Sequence, residues 1–196
     1  MKTIRLMRED IRSTSGDSIR RAYASVGSSE FIDKLIANYG IFPTGKYDSE
    51  FRSWLASKLA ENVWPIYHVL NGDISQKRIL DLGCGSRGGT PDSGYGDTRK
   101  MYEPWLCRAL LELGVSPIGV DIGSLLGERF EYHTLNLLSP DSLKFLGDNS
   151  VDVAHVELLF DSPTGYEMKG FRNLRGFLVP QLERIVKPHG YFIGGM

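Results

Sequence analysis

The feature that most constrains the fold of this chain is a short apolar run ending in closely spaced glycines, RILDLGCGSRGGT at residues 78–90. Gly83, Gly85 and Gly88 match the spacing G-x-G-x-x-G, which links a strand to a crossover helix in sheets that bind nucleotides. An acid, Asp81, lies two positions before the first glycine. We therefore expect a strand, a tight ligand-binding turn and a helix, with a carboxylate where the turn begins.

From residue 78 onward, short apolar runs alternate with helical segments, a pattern that predicts an α/β fold with a mainly parallel sheet and helices on both faces. The predicted strands are 78–82, 117–121, 131–135, 151–157 and 191–195. The predicted helices are 104–113, 140–146 and roughly 171–187. In such a sheet the ligand lies beyond the carboxyl ends of the strands, beside the first strand.

The first part of the chain is predicted to be helical. Between residues 48 and 70, apolar residues recur in steps of three and four, which defines one apolar stripe along a helix. Asp48 is a suitable N-cap, and Pro65 should kink or end this helix. We expect an N-terminal helical extension at 1–75 and a sheet domain at 76–196. The helices at about 17–70 are expected to pack over the carboxyl end of the sheet and to help enclose a second substrate.

Composition excludes several classes of function. The chain has 196 residues and a net charge of -1, so there is no electrostatic case for nucleic acid or for an anionic membrane. No apolar run is long enough to span a bilayer. The histidines and the two cysteines, Cys84 and Cys107, lack metal-ligand spacing, so no metal is expected. Two isolated cysteines are typical of a reduced, cytoplasmic protein.

The acid at position 81 separates two classes of ligand. Beside a pyrophosphate, the carboxylate would repel a like charge, at a cost on the order of a few kcal/mol. A ligand with cationic groups and no phosphate would instead be stabilised, and S-adenosylmethionine carries both an ammonium and a sulfonium. The next strand-ending acid, Asp121, also lies much farther from Gly85 than the ~20 residues expected in a dinucleotide fold. Both observations disfavour an NAD-dependent oxidoreductase.

Four segments of the chain resemble, in order, the class I S-adenosylmethionine-dependent methyltransferases. They are ILDLGCGS (79–86), similar to the first motif, IGVDI (118–122), similar to the second strand, DNSVDVAHVELL (148–159), similar to the fourth strand, and LERIVKPHGYFI (182–193), similar to the helix, turn and strand that follow. The resemblance implies a Rossmann-like fold with strand order 3-2-1-4-5, here without the usual C-terminal strand pair. Residues 1–77 are outside it.

The resemblance also implies a binding site for S-adenosylmethionine. The methionine half of the cofactor would meet four residues around the first loop: Asp81, Gly83, Cys84 and Gly85. Asp121 would hydrogen-bond the ribose hydroxyls, and Ile122 would pack on the adenine.

The remaining implied contacts follow the third and fourth strands of the domain. Asn136 would accept a hydrogen bond from the adenine amino group, and Leu137 would offer its backbone N–H to the ring. Glu157 and Leu158 would face the methyl group. Glu157 is also the candidate catalytic residue, since it could act as a general base or could hold the cofactor ammonium.

The function that follows is methyl transfer by in-line displacement to a small-molecule acceptor, with S-adenosylhomocysteine as product. The alternative is a methyltransferase-like protein that binds the cofactor without catalysis. Two features keep this alternative open: Arg87 replaces a loop glycine of the family, and little of the chain follows the fifth predicted strand. The insertion at 88–104 is longer than the family usually has, and it is either a lid beside the cofactor or a passive loop.

Strand 191–195 is expected to be a sheet edge whose unpaired backbone groups need a cover. Residues 2–7 alternate polar and apolar side chains, as a half-buried strand would. Two covers are expected as alternatives: residues 2–7 of the same chain, or a second subunit across a two-fold axis in a homodimer.

Overall fold

A computed structural model describes residues 2–4, 20, 24–39, 48–86, 102–157, 159 and 170–194. Six strands of this part of the chain form one sheet in the order β1-β6-β5-β2-β3-β4, and every neighbouring pair is parallel. The strands are β1 (Lys2–Ile4), β2 (Arg78–Leu82), β3 (Ser116–Asp121), β4 (Glu131–Thr134), β5 (Val151–Val156) and β6 (Val186–Gly194). The last five strands have the predicted order 3-2-1-4-5, which is confirmed.

The described helices are α1 (Ser29–Tyr39), α2 (Asp48–Val69), α3 (Trp105–Glu112) and α4 (Leu174–Ile185), and a 3-10 turn at Phe171–Asn173 precedes α4. Pro65 was expected to kink or end the helix, and the ending is wrong, because α2 continues to Val69. A proline costs the helix one backbone hydrogen bond. Here Ile66 and Val69 are buried in the core beyond it, so packing holds the last turn in place.

The predicted helix at 140–146 is also wrong. This stretch is a series of turns in which amides bond to carbonyls three residues earlier, as in Leu146 N to Leu143 O at 3.1 Å. Side chains of α4 bond to backbone groups of these turns. Gln181 Oε1 accepts from the Leu143 amide at 2.7 Å, and the Arg184 guanidinium donates to the carbonyls of Leu143 and Leu146.

The sheet separates two hydrophobic clusters. Helices α1, α2 and α3 cover one face, where they pack on Ile79, Val153 and Ile193. Helix α4 and the turns before it cover the other face. They pack on the strand residues that alternate with those of the first face, such as Leu80 and Ala154. Because side chains alternate along a strand, a residue two positions beyond Ile79 or Val153 also faces α2 and α3.

The edge of β6 is covered from within the chain. Strand β1 pairs with it in parallel, with Lys2 opposite Tyr191 and Ile4 opposite Ile193. This confirms the first of the two expected covers for residues 2–4 and leaves β6 with a neighbour on both sides, while residues 5–7 lie outside the described residues. The division into domains at residue 75 stays a prediction, although β1 joins the sheet and the helices at 29–69 share a core with it.

We expect the N-terminal helices and the sheet to unfold as one unit. Replacing Leu59, which is fully buried between α2 and the sheet, with alanine should lower the free energy of unfolding by about 2–5 kcal/mol. The exposed Ser53→Ala change on the same helix is the control and should stay within about 0.5 kcal/mol. Urea unfolding followed by both fluorescence and circular dichroism should give one coincident transition. Two separate transitions would contradict this expectation.

Candidate functional site

Residues 83–86, the described start of the loop after β2, use all of their amides within the protein. Each of their four N–H groups donates to a protein oxygen. The four bonds are Gly83 N to Val120 O (2.8 Å), Cys84 N to Val120 O (3.2 Å), Gly85 N to Asp121 Oδ2 (3.0 Å) and Ser86 N to Tyr102 O (3.0 Å). The loop is therefore tied to the end of β3 and to the approach to α3.

Glycine is required at two points of this arrangement. Gly85 has a φ of +92°, and a Cβ there would lie 2.2 Å from the Tyr102 carbonyl oxygen. A Cβ at Gly123, in the turn after β3, would lie 2.3 Å from the Ser86 Cβ. Any other residue would push the two loops apart. The predicted loop glycine Gly85 thus allows a close approach of backbone to backbone.

The carboxylate of Asp121 is the junction between these two loops. Its Oδ2 accepts from Gly85 N at 3.0 Å, and its Oδ1 accepts from Gly123 N at 2.8 Å. Burial raises the pKa of Asp121, the two amide bonds oppose that rise, and the negative charge of Asp81 adds to it. Each oxygen keeps a second acceptor position, since a carboxylate oxygen has two lone pairs. Beside it Ile122 is 52% exposed.

Asp81 lies beneath the loop rather than at its surface. It is buried at 4% exposure, and its Oδ1 is 2.8 Å from His155 Nδ1 on β5. Its Oδ2 lies 3.7 Å from the Cys107 sulfur on α3. Burial raises the pKa of the Cys107 and Cys84 thiols, and the charge of Asp81 raises both further. Both thiols therefore remain protonated near neutral pH.

Glu157 directly follows β5 and meets side chains from the N-terminal part of the chain. Asn62 of α2 donates to Glu157 Oε2 at 2.6 Å, and the Lys58 ammonium forms an ion pair with Oε1. Lys58 and Asn62 were not identified from the sequence. The sequence indicates them only weakly, as two polar residues one helical turn apart on α2. In the structure Asn62 is buried, at 8% exposure, in an apolar face of this helix.

Helix α2 lies on one face of the sheet and reaches its carboxyl end at Glu157. It does not lie at the amino-terminal edge of the strands. The expectation that this region encloses a second substrate stays a prediction.

The residues after β4 have other contacts. Asn136 is exposed, and its Oδ1 accepts from Leu138 N at 2.9 Å, a local turn that occupies the oxygen proposed for adenine. The Leu137 side chain is buried in the cluster on the α4 side. The predicted roles of Asn136 and Leu137 toward a ligand remain predictions. Leu158 and most of the insertion at 88–104 lie outside the described residues.

A buried arginine holds the surroundings of the site together. Arg108 on α3 pairs with Glu128 through two bonds of 3.1 and 2.6 Å and with Glu103 at 2.5 Å. Its guanidinium also stacks on Tyr39 at 4.5 Å and on Trp105 at 4.9 Å. Burial alone would lower the pKa of Arg108, but the two carboxylates raise it overall. The charged side chain of Arg108 therefore contacts residues of the loop after β3, of the segment before α3 and of helix α1.

The part of the chain that the structure describes contains no cluster of three or more His, Cys, Asp or Glu side chains that could hold a metal ion. No described helix has the length and apolar character needed to cross a membrane.

Comparison with known proteins gives a loose likeness. No protein-family model matches the chain, and no curated protein matches it. Two solved structures of magnesium protoporphyrin IX methyltransferase (ChlM) from Synechocystis PCC 6803 resemble it. The one with bound SAH has a TM-score of 0.42 and 17% identity, and the match covers 82% of this chain and 68% of that one. The one with bound SAM has a TM-score of 0.40, 16% identity and coverages of 84% and 72%. Since both TM-scores are below 0.5, the functional argument depends on the geometry of this chain.

We expect Arg108→Lys to destabilise the protein by about 3–5 kcal/mol, because a lysine cannot form the fork and would leave a buried carboxylate without its partner. Chemical unfolding would measure this change. Arg129→Lys is the matched control, since Arg129 pairs with Glu112 at the surface, and it should change stability by less than about 0.5 kcal/mol. Equal losses of stability from the two changes would show that the buried ion pairs of Arg108 stabilise the protein no more than the ion pair of Arg129 does.

Proposed function

We propose that the chain is an S-adenosylmethionine-dependent methyltransferase that transfers a methyl group to a small-molecule acceptor and releases S-adenosylhomocysteine. The ligand would lie at the carboxyl ends of β2, β3 and β5. The cofactor-binding residues proposed are those around the first loop and the end of β3, with Glu157 on the side of the acceptor.

The observation that carries this proposal is the saturation of the loop amides. A pyrophosphate is held by free backbone N–H groups and by the N-terminus of the following helix. Here all four amides of residues 83–86 donate to protein oxygens. The start of α3 is also a poor site for an anion. Pro104 lacks an N–H group, and the acidic residue Glu103 is buried beside it. Residues 83–86, the described start of the loop, therefore suit a ligand without phosphate and disfavour NAD.

The charges and surfaces around the loop fit the parts of S-adenosylmethionine. Asp81 and Asp121 place two carboxylates at the loop, which favours a ligand with an ammonium and a sulfonium. The free acceptor positions of Asp121 suit a pair of ribose hydroxyls. The exposed side chain of Ile122 offers an apolar surface for the adenine.

The chemistry asks little of the protein beyond alignment. A sulfonium is already an activated electrophile, so positioning donor and acceptor in line and excluding water can supply most of the acceleration. A base is required only if the acceptor carries a proton of high pKa. Glu157 is the candidate for that base or for holding the cofactor ammonium, and its pairing with Lys58 and Asn62 fixes its orientation.

The near-neutral net charge supports a small-molecule acceptor over nucleic acid, and the two free, buried cysteines support a reducing, cytoplasmic setting.

The second candidate function is cofactor binding without catalysis. One observation favours it: both oxygens of Glu157, the described acidic residue that directly follows β5, already have protein partners.

Calorimetry with three ligands tests the cofactor. We expect S-adenosylmethionine and S-adenosylhomocysteine to bind in the micromolar range and NAD to show no comparable binding. Asp81→Asn should weaken S-adenosylmethionine by ~1–3 kcal/mol, because it removes a buried negative charge near the ligand. Asp73→Asn, on the exposed turn after α2, is the control and should have no effect. Binding of NAD without S-adenosylhomocysteine would overturn the proposal.

The role of Glu157 can be separated from that of its partner by a double substitution. Glu157→Gln leaves the Lys58 ammonium without its counter-charge, so S-adenosylmethionine should bind about tenfold more weakly. Lys58→Met combined with Glu157→Gln should restore most of that loss, since the net charge returns to zero. Detection of S-adenosylhomocysteine release with pools of small acceptors would then show whether either form transfers methyl groups. Equal affinities in all variants would remove Glu157 from the cofactor site.

A further inference from the structure

The first part of helix α2 projects past the carboxyl ends of the strands. Lys58 and Asn62 of this helix meet Glu157, which directly follows β5, and the helix then continues to Val69, shortly before β2 begins. Helix α2 therefore runs antiparallel to the strands. Its residues before Lys58 extend beyond the sheet, by about 1.5 Å each along the helix axis. This is the region in which a second substrate would face a cofactor bound at the ends of β2, β3 and β5.

Trp54 lies on the same face of α2 as Lys58 and Asn62, since residues four apart are neighbours on a helix. It is half-buried, and its ring stacks on Phe51, with ring centroids 5.8 Å apart and an angle of 27° between the planes. Phe51 in turn packs on Trp105, the first residue of α3, with ring centroids 5.7 Å apart. The Trp54 indole is thus supported by other aromatic rings while part of it remains exposed.

The ion pair one turn farther along this face is accessible as well. The side chains of Lys58 and Glu157 are 27% and 31% exposed. Glu157 Oε1 accepts from Lys58 and Oε2 accepts from Asn62. Each carboxylate oxygen has a second lone pair, and an ammonium has three N–H donors. The pair therefore presents a hydrogen-bond donor and a hydrogen-bond acceptor side by side.

The two parts of this face favour one class of ligand. A hydroxyl group can donate to the carboxylate and accept from the ammonium at once, whereas a charged group on the ligand would be repelled by one member of the pair. An indole surface favours a planar aromatic ring over a saturated one, because paired aromatic rings are stabilised beyond the area they bury. Four residues of helix separate Trp54 from Lys58 by about 6 Å along the axis, which one ligand with fused rings can span.

We propose that this face of α2, formed by Trp54, Lys58 and Asn62 together with Glu157, binds the methyl acceptor, and that the acceptor is a planar aromatic compound carrying a hydroxyl group. The ring stacks on Trp54, and the hydroxyl group bonds to Lys58 and Glu157. This assignment rests on the proposed function, because it names the class of the second substrate at that site.

The test is equilibrium dialysis of the full chain, saturated with S-adenosylhomocysteine so that no transfer occurs, against three matched probes. 2-Naphthol has both the planar ring and the hydroxyl group. Naphthalene lacks the hydroxyl group, and decahydro-2-naphthol keeps it on a saturated ring. We expect 2-naphthol to bind about tenfold more tightly than naphthalene, because it gains hydrogen bonds to charged groups. It should bind about fivefold more tightly than decahydro-2-naphthol, because only a planar ring stacks.

Variants separate the two parts of the face. Trp54→Leu should remove the preference for 2-naphthol over decahydro-2-naphthol, and Trp54→Phe should keep part of it. Lys58→Met should remove most of the preference for 2-naphthol over naphthalene. The matched controls are Tyr67→Leu, at the opposite end of α2, and Lys77→Met, whose ion pair with Asp73 lies between α2 and β2. Both controls should bind the three probes as the wild type does.

Thermal unfolding and calorimetry with S-adenosylhomocysteine check that each variant is folded and binds the cofactor product. If Trp54→Leu does not fold, a reduced preference in Trp54→Phe decides. Equal binding of the three probes to the wild type, or either preference persisting in the variant meant to remove it, would overturn the acceptor class and leave the proposed cofactor in place. Failure of S-adenosylhomocysteine to bind the wild type would overturn the proposed function and, with it, this assignment.

Discussion

The carboxylate of Asp121 is the interaction on which the site depends. It accepts amide N–H groups from the loop after β2 and from the turn after β3, so one side chain holds two backbone segments at a fixed separation. Glycine at positions 85 and 123 lets these segments lie close to Tyr102 and Ser86, because a Cβ there would clash with them. The two bonds to Asp121 occupy the N–H groups of Gly85 and Gly123, which are then not available to an anion. The order of these segments and the proposed preference for a cationic ligand therefore have a common origin.

Much of the sheet could be predicted because its signals are local. Strand β2 was predicted with its observed bounds, and β3, β4 and β5 each differ by one residue at one end, since buried parallel strands read as short apolar runs between turns. Strand β6 begins at Val186 rather than at residue 191. Residues 140–146 were predicted as a helix from their local pattern, but they form turns whose backbone groups bond to Gln181 and Arg184, far along the chain.

The same distinction applies to the site. The glycine loop and Asp121 follow strands directly, so their place at the carboxyl ends could be deduced from order alone. Lys58 and Asn62 could not be deduced in this way, because their partner Glu157 lies in another element. Arg108 could not be deduced either, because its partners Glu103 and Glu128 lie outside its helix. Asp81 was identified from the sequence, but its partner His155 was not. Register between strands, which sequence spacing does not give, brings these two together.

The pairing of β1 with β6 has a kinetic consequence. Residues 2–4 form their ladder with residues 191–193, so this edge of the sheet joins segments from far apart in the sequence. Contacts of such long sequence separation carry a large loop-closure entropy and tend to form slowly. During synthesis, β1 would remain without its partner until β6 has left the ribosome. The pairings among β2, β3, β4 and β5 can form before β6 is available, so we expect the docking of β1 on β6 to be among the last steps of folding.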